Sequence, residues 1–243
     1  MQELKTLEGV LMQSTQVTYQ KTMTSQEIYH ALKNDILNLK LRPGQMISEN
    51  ETAKRYHVSR TPVKAAFTRL EGEGFVEVMP QKGTFVTLID CEHIRDILYM
   101  RYVLEVDILK LIRDGRNFHE TVEKLEKNLN AQTALIQQGD TSPESYNELD
   151  MQFHELLFVQ ADRAGIWSII QANQVHYPRF RLLDTYLFAR YEELQRQHAD
   201  ILNALLHRDI ELVDKSVYNH LHQYLVLLSK LPSNEYREYL INW

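Results

Sequence analysis

The sequence predicts a mainly α-helical protein in two parts: three helices closed by a β-hairpin, then an antiparallel bundle of six or seven helices. Three observations carry this. Only 8 glycines and 6 prolines punctuate 243 residues, which favours long helices. The alternating stretches that read as strands, joined by a turn, fall at 75–87. From Asp90 on, apolar residues recur at helical spacing with almost no strand signal. A chain of this length suits two domains. The expected division is an arm over 1–23, a first domain over 24–89, a helical domain over 90–232 and a tail over 233–243.

Residues 1–23 show no strong period, although Leu4, Leu7 and Leu11 could make one short amphipathic helix; a mobile arm is expected. Thr24-Ser25-Gln26-Glu27 has capping-box spacing, and Ile28, Leu32, Ile36 and Leu39 continue it as a helical stripe. Leu41-Arg42-Pro43-Gly44 is a turn. Ser48-Glu49-Asn50-Glu51 is a second capping box, opening a helix to about His57. The next helix begins at Ser59, whose hydroxyl can cap its first turn, with Pro62 where a missing N–H does no harm. Val63, Phe67 and Leu70 would face a core, leaving Arg60, Thr61, Lys64 and Arg69 to solvent. Phe75–Val78 and Thr84–Thr87 alternate around Pro80-Gln81-Lys82-Gly83, a hairpin with a basic tip.

This order is a winged helix-turn-helix. A helix anchored on one side, basic and hydroxyl-rich at its exposed first turn, suits the major groove of double-stranded DNA. The plainer alternative is a small helical domain with a decorative hairpin; the basic tip and basic helix together speak against it. The net charge of -6 also argues against nucleic acid if taken whole. It is unevenly spread: residues 21–90 hold ten Lys and Arg against eight Asp and Glu, and 45–69 hold five against two. The field of one face steers DNA binding, not the whole-chain charge.

The lone Cys91 excludes an internal disulfide framework and fits a reducing cytoplasm. Mean hydropathy is -0.40, and no run of roughly 18 apolar residues exists to span a membrane. Glu3 and Glu8 interrupt the first twenty residues, which do not read as a secretory leader.

The first domain resembles the GntR family of bacterial transcription regulators. The carrying residues are Leu41-Arg42-Pro43-Gly44-Gln45-Met46-Ile47-Ser48-Glu49, Val58-Ser59-Arg60-Thr61-Pro62-Val63-Lys64, Arg69-Leu70-Glu71 and Gly83-Thr84-Phe85-Val86. Lys64-Ala65-Ala66-Phe67 departs from the family's common Arg-Glu-Ala-Leu. Lys64 keeps a phosphate charge but loses the bidentate fork that reads guanine. The resemblance implies that Asn50, Arg60 and Lys64 contact bases or nearby phosphates. It implies that Gln81, Lys82 and Gly83 reach the minor groove or backbone.

In the second half, helical stripes run Ile94–Ile112, Phe118–Ile136, Tyr146–Ala161, Ile166 to about Asp184, Phe188–Leu206 and Ile210–Leu231. Breaks fall at Asp114-Gly115, Gly139–Pro143 and His207–Asp209, and Tyr177-Pro178 kinks or divides the fourth segment. Short connections imply an antiparallel bundle.

Four ligand-type residues stand out. Asp150 and His154 stand four apart on one helix face. His198 lies on the stripe Tyr191, Leu194, Ile201, Leu205, and His220 on Val213, Val217, Tyr224, Leu227. Both are eleven residues from the turn at Asp209. In an antiparallel hairpin that sets them at one height, roughly 16 Å from the turn. Any one histidine on an apolar face reads first as a satisfied core residue; four donors in register favour a metal. Three imidazoles and a carboxylate suit a divalent transition metal, zinc foremost, with nickel or manganese conceivable.

This half resembles the FCD ligand-binding domain of the FadR-type branch of the same family. The carrying residues are Arg101 with Leu104-Glu105, Asp150-Met151-Gln152-Phe153-His154, His198–Leu205 and His220-Leu221. In metal-binding members, Asp150, His154, His198 and His220 would hold the ion. Some members lack metal and bind acyl chains; the full donor set argues against that variant here.

The stripe Ile94, Leu98, Arg101, Glu105, Ile108, Ile112 is apolar except at two residues. One reading is an internal Arg101–Glu105 pair. The other, which the resemblance favours, is that Arg101 awaits a small carboxylate effector, with Arg179 and Arg181 as weaker candidates in a solvated turn. The whole then reads as a homodimeric repressor that binds operator DNA and is not an enzyme. A metal-dependent hydrolase or lyase with a DNA-binding appendage is the alternative from another class, without a recognisable catalytic motif.

Overall fold

The structure is a computed structural model that describes residues 22–139, 142–173, 175–228 and 236–242. Residues 1–21 of the expected 1–23 arm and the stripe end at Leu231 lie outside the described residues, as does the Leu227 side chain.

The chain is mainly helical. The first domain runs α1 (Ser25–Leu37), β1 (Met46–Ile47), α2 (Glu49–Tyr56), α3 (Arg60–Gly72), β2 (Val76–Met79) and β3 (Gly83–Val86). The Thr24/Glu27 capping box forms as expected. The other two expected caps do not. Ser48 and Ser59 occupy N-cap positions in extended backbone, but neither hydroxyl bonds the helix. Exposed Ser59 thus leaves the first-turn N–H groups of α3 open at its solvent-facing end. Ile28, Leu32, Ile36, Val63, Phe67, Leu70, Phe75 and Val86 build one small core.

The wing is a three-stranded antiparallel sheet in the order β1-β3-β2, one strand more than the sequence suggested. Two-residue β1 is too short to show alternation. At the tip, Lys82 N donates to Met79 O at 3.1 Å. Gln81 takes φ 62 at the third position of this turn, with Pro80 supplying the second.

The second domain contains α4 (Cys91–Asp114), α5 (Phe118–Gln137), α6 (Pro143–Gln160), α7 (Ala164–Ala172), α8 (Tyr177–Phe188), α9 (Tyr191–Leu206) and α10 (Ile210–Leu228). Seven helices among the described residues agree with the expected bundle. The expected division of the fourth segment falls slightly early, between α7 and α8. Pro178 sits in the first turn of α8, where it starts a helix instead of breaking one. Two short strands were not legible: β4 (Ile89–Asp90) pairs in parallel with β5 (Leu240–Ile241) of the tail. Asn242 Nδ2 donates to Asp90 Oδ1 at 3.1 Å beside this pair.

α8 also meets the first domain. Fully buried Arg179 donates to Thr87 O at 2.7 Å and Thr87 Oγ1 at 3.3 Å, just past β3. Thr87 Oγ1 in turn donates to Gly74 O at 2.8 Å.

Candidate metal centre and DNA-reading face

α6, α9 and α10 bring the four expected donors together. One ligand atom from each of Asp150, His154, His198 and His220 lies within 4.8 Å of all the others, and all four residues are buried. His198 and His220 stand at one height, as expected, with their ring centroids 4.6 Å apart. Phe153 stacks on His198 at 4.2 Å and fixes its plane.

What each imidazole does with its outer nitrogen decides what it offers inward. His154 Nδ1 lies 2.9 Å from Glu105 Oε2, a carboxylate oxygen that accepts only. His198 Nδ1 lies 3.1 Å from Gln132 Oε1. That amide is oriented by its neighbours: Gln132 Nε2 donates to Asn128 Oδ1 at 2.7 Å, and Asn128 Nδ2 donates to Leu149 O at 3.0 Å. A backbone carbonyl ends the chain, so Gln132 shows its oxygen to His198. His220 Nδ1 lies 3.0 Å from Gln197 Oε1. Each Nδ1 therefore keeps its proton and each Nε2 turns a lone pair inward.

Those inner nitrogens are poorly served by the protein alone. His154 Nε2 and His220 Nε2 face each other at 3.1 Å. His198 Nε2 has no hydrogen-bond partner, and Asp150 Oδ1, 3.4 Å from it, makes no aligned hydrogen bond, its charge being met by Arg181 alone. Protonation is no remedy at His198 or His220. Burial, reinforced by the neighbouring imidazoles, pushes His220 well below the usual histidine range. Burial also takes His198 to about 3, despite the opposing pull of Asp150. Burial works against ionising Asp150, but Arg181, with Nη2 2.9 Å from Oδ1, and the nearby imidazoles hold its pKa below the usual value. Four donors at about 2.0–2.1 Å from a tetrahedral ion stand about 3.3 Å apart. The residues present fit a divalent transition metal in spacing, donor type and unmet lone pairs.

The two readings of Arg101 turn out to be compatible. Its Nε donates to Glu105 Oε1 at 2.9 Å and its Nη1 to Tyr177 Oη at 2.8 Å. Its Nη2 is buried and has no partner. His154 and Arg101 outweigh the burial of Glu105 and hold that carboxyl at about 2. Glu105 thus orients both Arg101 and His154.

Arg179 and Arg181 do not lie in a solvated turn. Both are buried in α8, because Pro178 initiates that helix. Arg181 bonds Tyr224 Oη and sits 3.3 Å from Asn147 Oδ1 as well as pairing with Asp150. Arg179 points to Thr87 and the first domain, away from the donor set. Gln132 and Gln197 carry no spacing signal of their own, and Tyr177 and Tyr224, read from the sequence as a break and as part of the His220 stripe, gave no sign of the arginines they meet.

At the other end, Asn50, Arg60 and Lys64 are exposed, as are Ser59, Thr61, Gln81, Lys82 and Gly83. Asn50, Lys54 and Arg60 line one surface hollow, and Arg60, Thr61 and Lys64 an adjoining one. Arg60 Nη2 pairs with Glu49 Oε2 at 3.2 Å, and the Arg60 side chain is 68% exposed. Such surface pairs contribute little and exchange readily for a phosphate. Arg69 is differently placed. Its guanidinium lies 3.7 Å from the centroid of the Tyr29 ring, and its Nε bonds Glu73 at 3.0 Å. It ties α3 to α1 at the far end from the reading turn.

A winged reading head joined to a helical domain defines the class: a DNA-binding transcription regulator with a second, all-helical domain. Residues 24–86 match the family described as bacterial regulatory proteins, gntR family, and residues 96–223 match the FCD domain. The chain belongs to the GntR family of transcription regulators that carry an FCD domain. It is 31% identical over 203 residues to the HTH-type transcriptional repressor RspR of Escherichia coli K12, covering 82% of this chain and 86% of that protein. It is 27% identical over 195 residues to the gluconate operon transcriptional repressor of Bacillus licheniformis, covering 78% of each. The solved structure of E. coli McbR/YncC gives a TM-score of 0.64 at 18% identity, over 85% of this chain and 97% of that one, and so shares the fold. No helix among the described residues is long and apolar enough to cross a membrane.

Proposed function

We propose that this regulator is a cytoplasmic, homodimeric repressor that releases its operator when a small organic or sugar acid binds in the helical domain. The reading head spans 24–89 and the sensing bundle 90–232. Asp150, His154, His198 and His220 hold a divalent transition metal, zinc foremost. Bound there, the metal would supply a Lewis-acid site for one carboxylate oxygen.

The observation that carries this reading is the pairing of two unmet needs in one buried place. Inward lone pairs call for a cation, and Arg101 Nη2 calls for an anion. Leaving either kind of buried group unsatisfied costs about 1–3 kcal/mol. A carboxylate held between Arg101 and an ion at the four donors would meet both. Two relatives named as repressors support the sign, and the gluconate operon of one makes a sugar acid the first candidate. Effector and DNA are then reciprocally linked, each lowering affinity for the other.

The test is elemental analysis of cleanly purified protein, then melting with and without chelator and a panel of hydroxy and sugar acids. A metal at about 100 times its Kd stabilises by about 2.7 kcal/mol, or roughly 5–11 °C for a domain of this size. Chelation should remove that increment, and His198→Ala with His220→Ala should mimic chelation. Protein that takes up no metal under any loading condition would falsify the site. Melting indifferent to chelator points to the metal-free acyl-binding alternative. Steady turnover of an acid, instead of stoichiometric binding, points to the enzyme alternative.

A further inference from the structure

Two of the three imidazoles are oriented from inside the bundle, His154 by the Glu105 carboxylate and His198 by an amide chain ending on Leu149 O. His220 depends on Gln197, and Gln197 is an amide that could present either end. What fixes it runs outward. Gln197 Nε2 donates to Gln223 Oε1, and Gln223 Nε2 donates to Glu193 Oε1. Glu193 accepts only, and Arg190 Nη1 holds its other oxygen at 3.1 Å. Arg190 Nη2 is in turn anchored 3.1 Å from Asp184 Oδ2. The Glu193 side chain is 33% exposed, so this chain starts at the surface and ends at a buried donor.

We propose that Glu193, Gln223 and Gln197 form a directional relay that keeps the proton of His220 on Nδ1 and its Nε2 bare, and so sets the metal affinity of the centre. The inference rests on the metal reading above. A carboxylate at one end forces Gln223 to point its NH2 outward and its oxygen inward. Gln197 must then do the same. The only role left to His220 Nδ1 is donor. Remove any link and Gln197 can turn over, offering NH2 to Nδ1. His220 then moves its proton to Nε2, where it blocks the ion. These three are positioning residues, since none touches the donor cluster except through His220.

The experiment uses full-length protein stripped of metal, with zinc alone as the probe, in competition with a chromophoric chelator. Loss of an outer hydrogen-bond partner typically weakens metal binding by about 10–100-fold. Gln197→Met and Gln223→Met should each lose affinity within that range, with the melting temperature of the stripped protein unchanged. Gln197→Glu should keep zinc affinity within the wild-type range, because a carboxylate accepts from His220 Nδ1 in either orientation even though it leaves Gln223 Oε1 without its donor. In the stripped protein, 15N spectra should show His220 as the Nδ1–H tautomer in the wild type and a mixture in Gln223→Met. Gln223 and Glu193 are only partly buried, so Gln223→Met and Glu193→Gln serve if Gln197→Met folds poorly. If the wild type binds zinc and the Gln223→Met protein matches it in affinity and tautomer, the relay is wrong and the metal centre stands. If the wild type takes up no zinc, the metal reading falls and the relay falls with it.

Discussion

Replacing Arg179 with methionine should uncouple the two domains while sparing each. The buried guanidinium makes two hydrogen bonds to Thr87, at 2.7 and 3.3 Å, which join α8 to the exit of the wing. Bonds from a charged donor contribute about 1.5–3 kcal/mol each, so the two that cross the junction account for about 3–6 kcal/mol; those to Val175 O at 2.8 Å and His176 Nδ1 at 3.1 Å, at the entry of α8, are lost with them. Burial opposes it: desolvation takes the Arg179 pKa from 12.5 down to about 10, an opposing cost of about 3 kcal/mol. Set against that cost, the Thr87 bonds contribute about 0–3 kcal/mol net, and a melting curve of the variant checks that both domains still fold once the bonds to Val175 and His176 are gone. The coupling has no such compensation. On the same helix, Tyr177 bonds Arg101 and Arg181 pairs with Asp150. An effector that draws on Arg101 would move α8, and Arg179 would pass the movement to Thr87. Allosteric couplings are typically about 1–3 kcal/mol, a factor of about 5–150 in affinity. The assay is operator affinity by fluorescence anisotropy, with and without saturating effector. In Arg179→Met the ratio should approach one, while operator affinity without effector and effector affinity without operator persist. A ratio as large as in the wild type would refute the reasoning.

Arg60→Ala should abolish gel retardation of the operator with an unchanged melting curve, because its pair with Glu49 is a surface one; normal retardation would overturn the placement of the reading helix. Arg101→Ala should weaken the effector response, read as the acid concentration that releases half the operator, more than DNA binding itself; equal loss of both would mark a purely structural residue. His176 gives a pH dependence at the domain junction. Burial, then Arg179 and His93, push its pKa down to about 4, and its Nδ1 accepts from Asp90 N at 3.1 Å. With a folded pKa below the unfolded value, the unfolded chain binds the proton more readily, so stability is complete above about pH 6.5 and declines as pH falls toward 4. His176→Asn should flatten that part of the melting-temperature profile; an unaltered slope would assign it to other groups.

What could be read from the chain follows the range of each interaction. The reading head was legible because its signals are local: a capping box four residues long, apolar residues at i and i+4, a turn between two alternating runs. The donors were legible because a short turn converts sequence distance into height, which places His198 beside His220. Ser48 and Ser59 mark the limit of that approach, since residue type and spacing suit a cap but the hydroxyl of each makes no bond to its helix. The relays left no trace in the sequence, for Gln132, Gln197 and Gln223 are ordinary polar residues. Gln132 meets its histidine across 66 positions.

α8 shows most clearly what a long-range fold adds. Tyr177-Pro178 reads as an interruption, yet proline in a first turn is an initiator. Once the segment is a helix, its periodicity assigns the roles. At 100° per residue, Tyr177 and Arg181 are about 40° apart and share a face, while Arg179 lies about 200° around from Tyr177. Two residues meet the centre and the one between them meets the reading head. A turn would have left those arginines in water; a helix makes them opposite ends of one rigid connection. The property that makes the protein a candidate switch therefore resides in Tyr177, Arg179 and Arg181, in a stretch that the sequence presented as a break and a solvated turn.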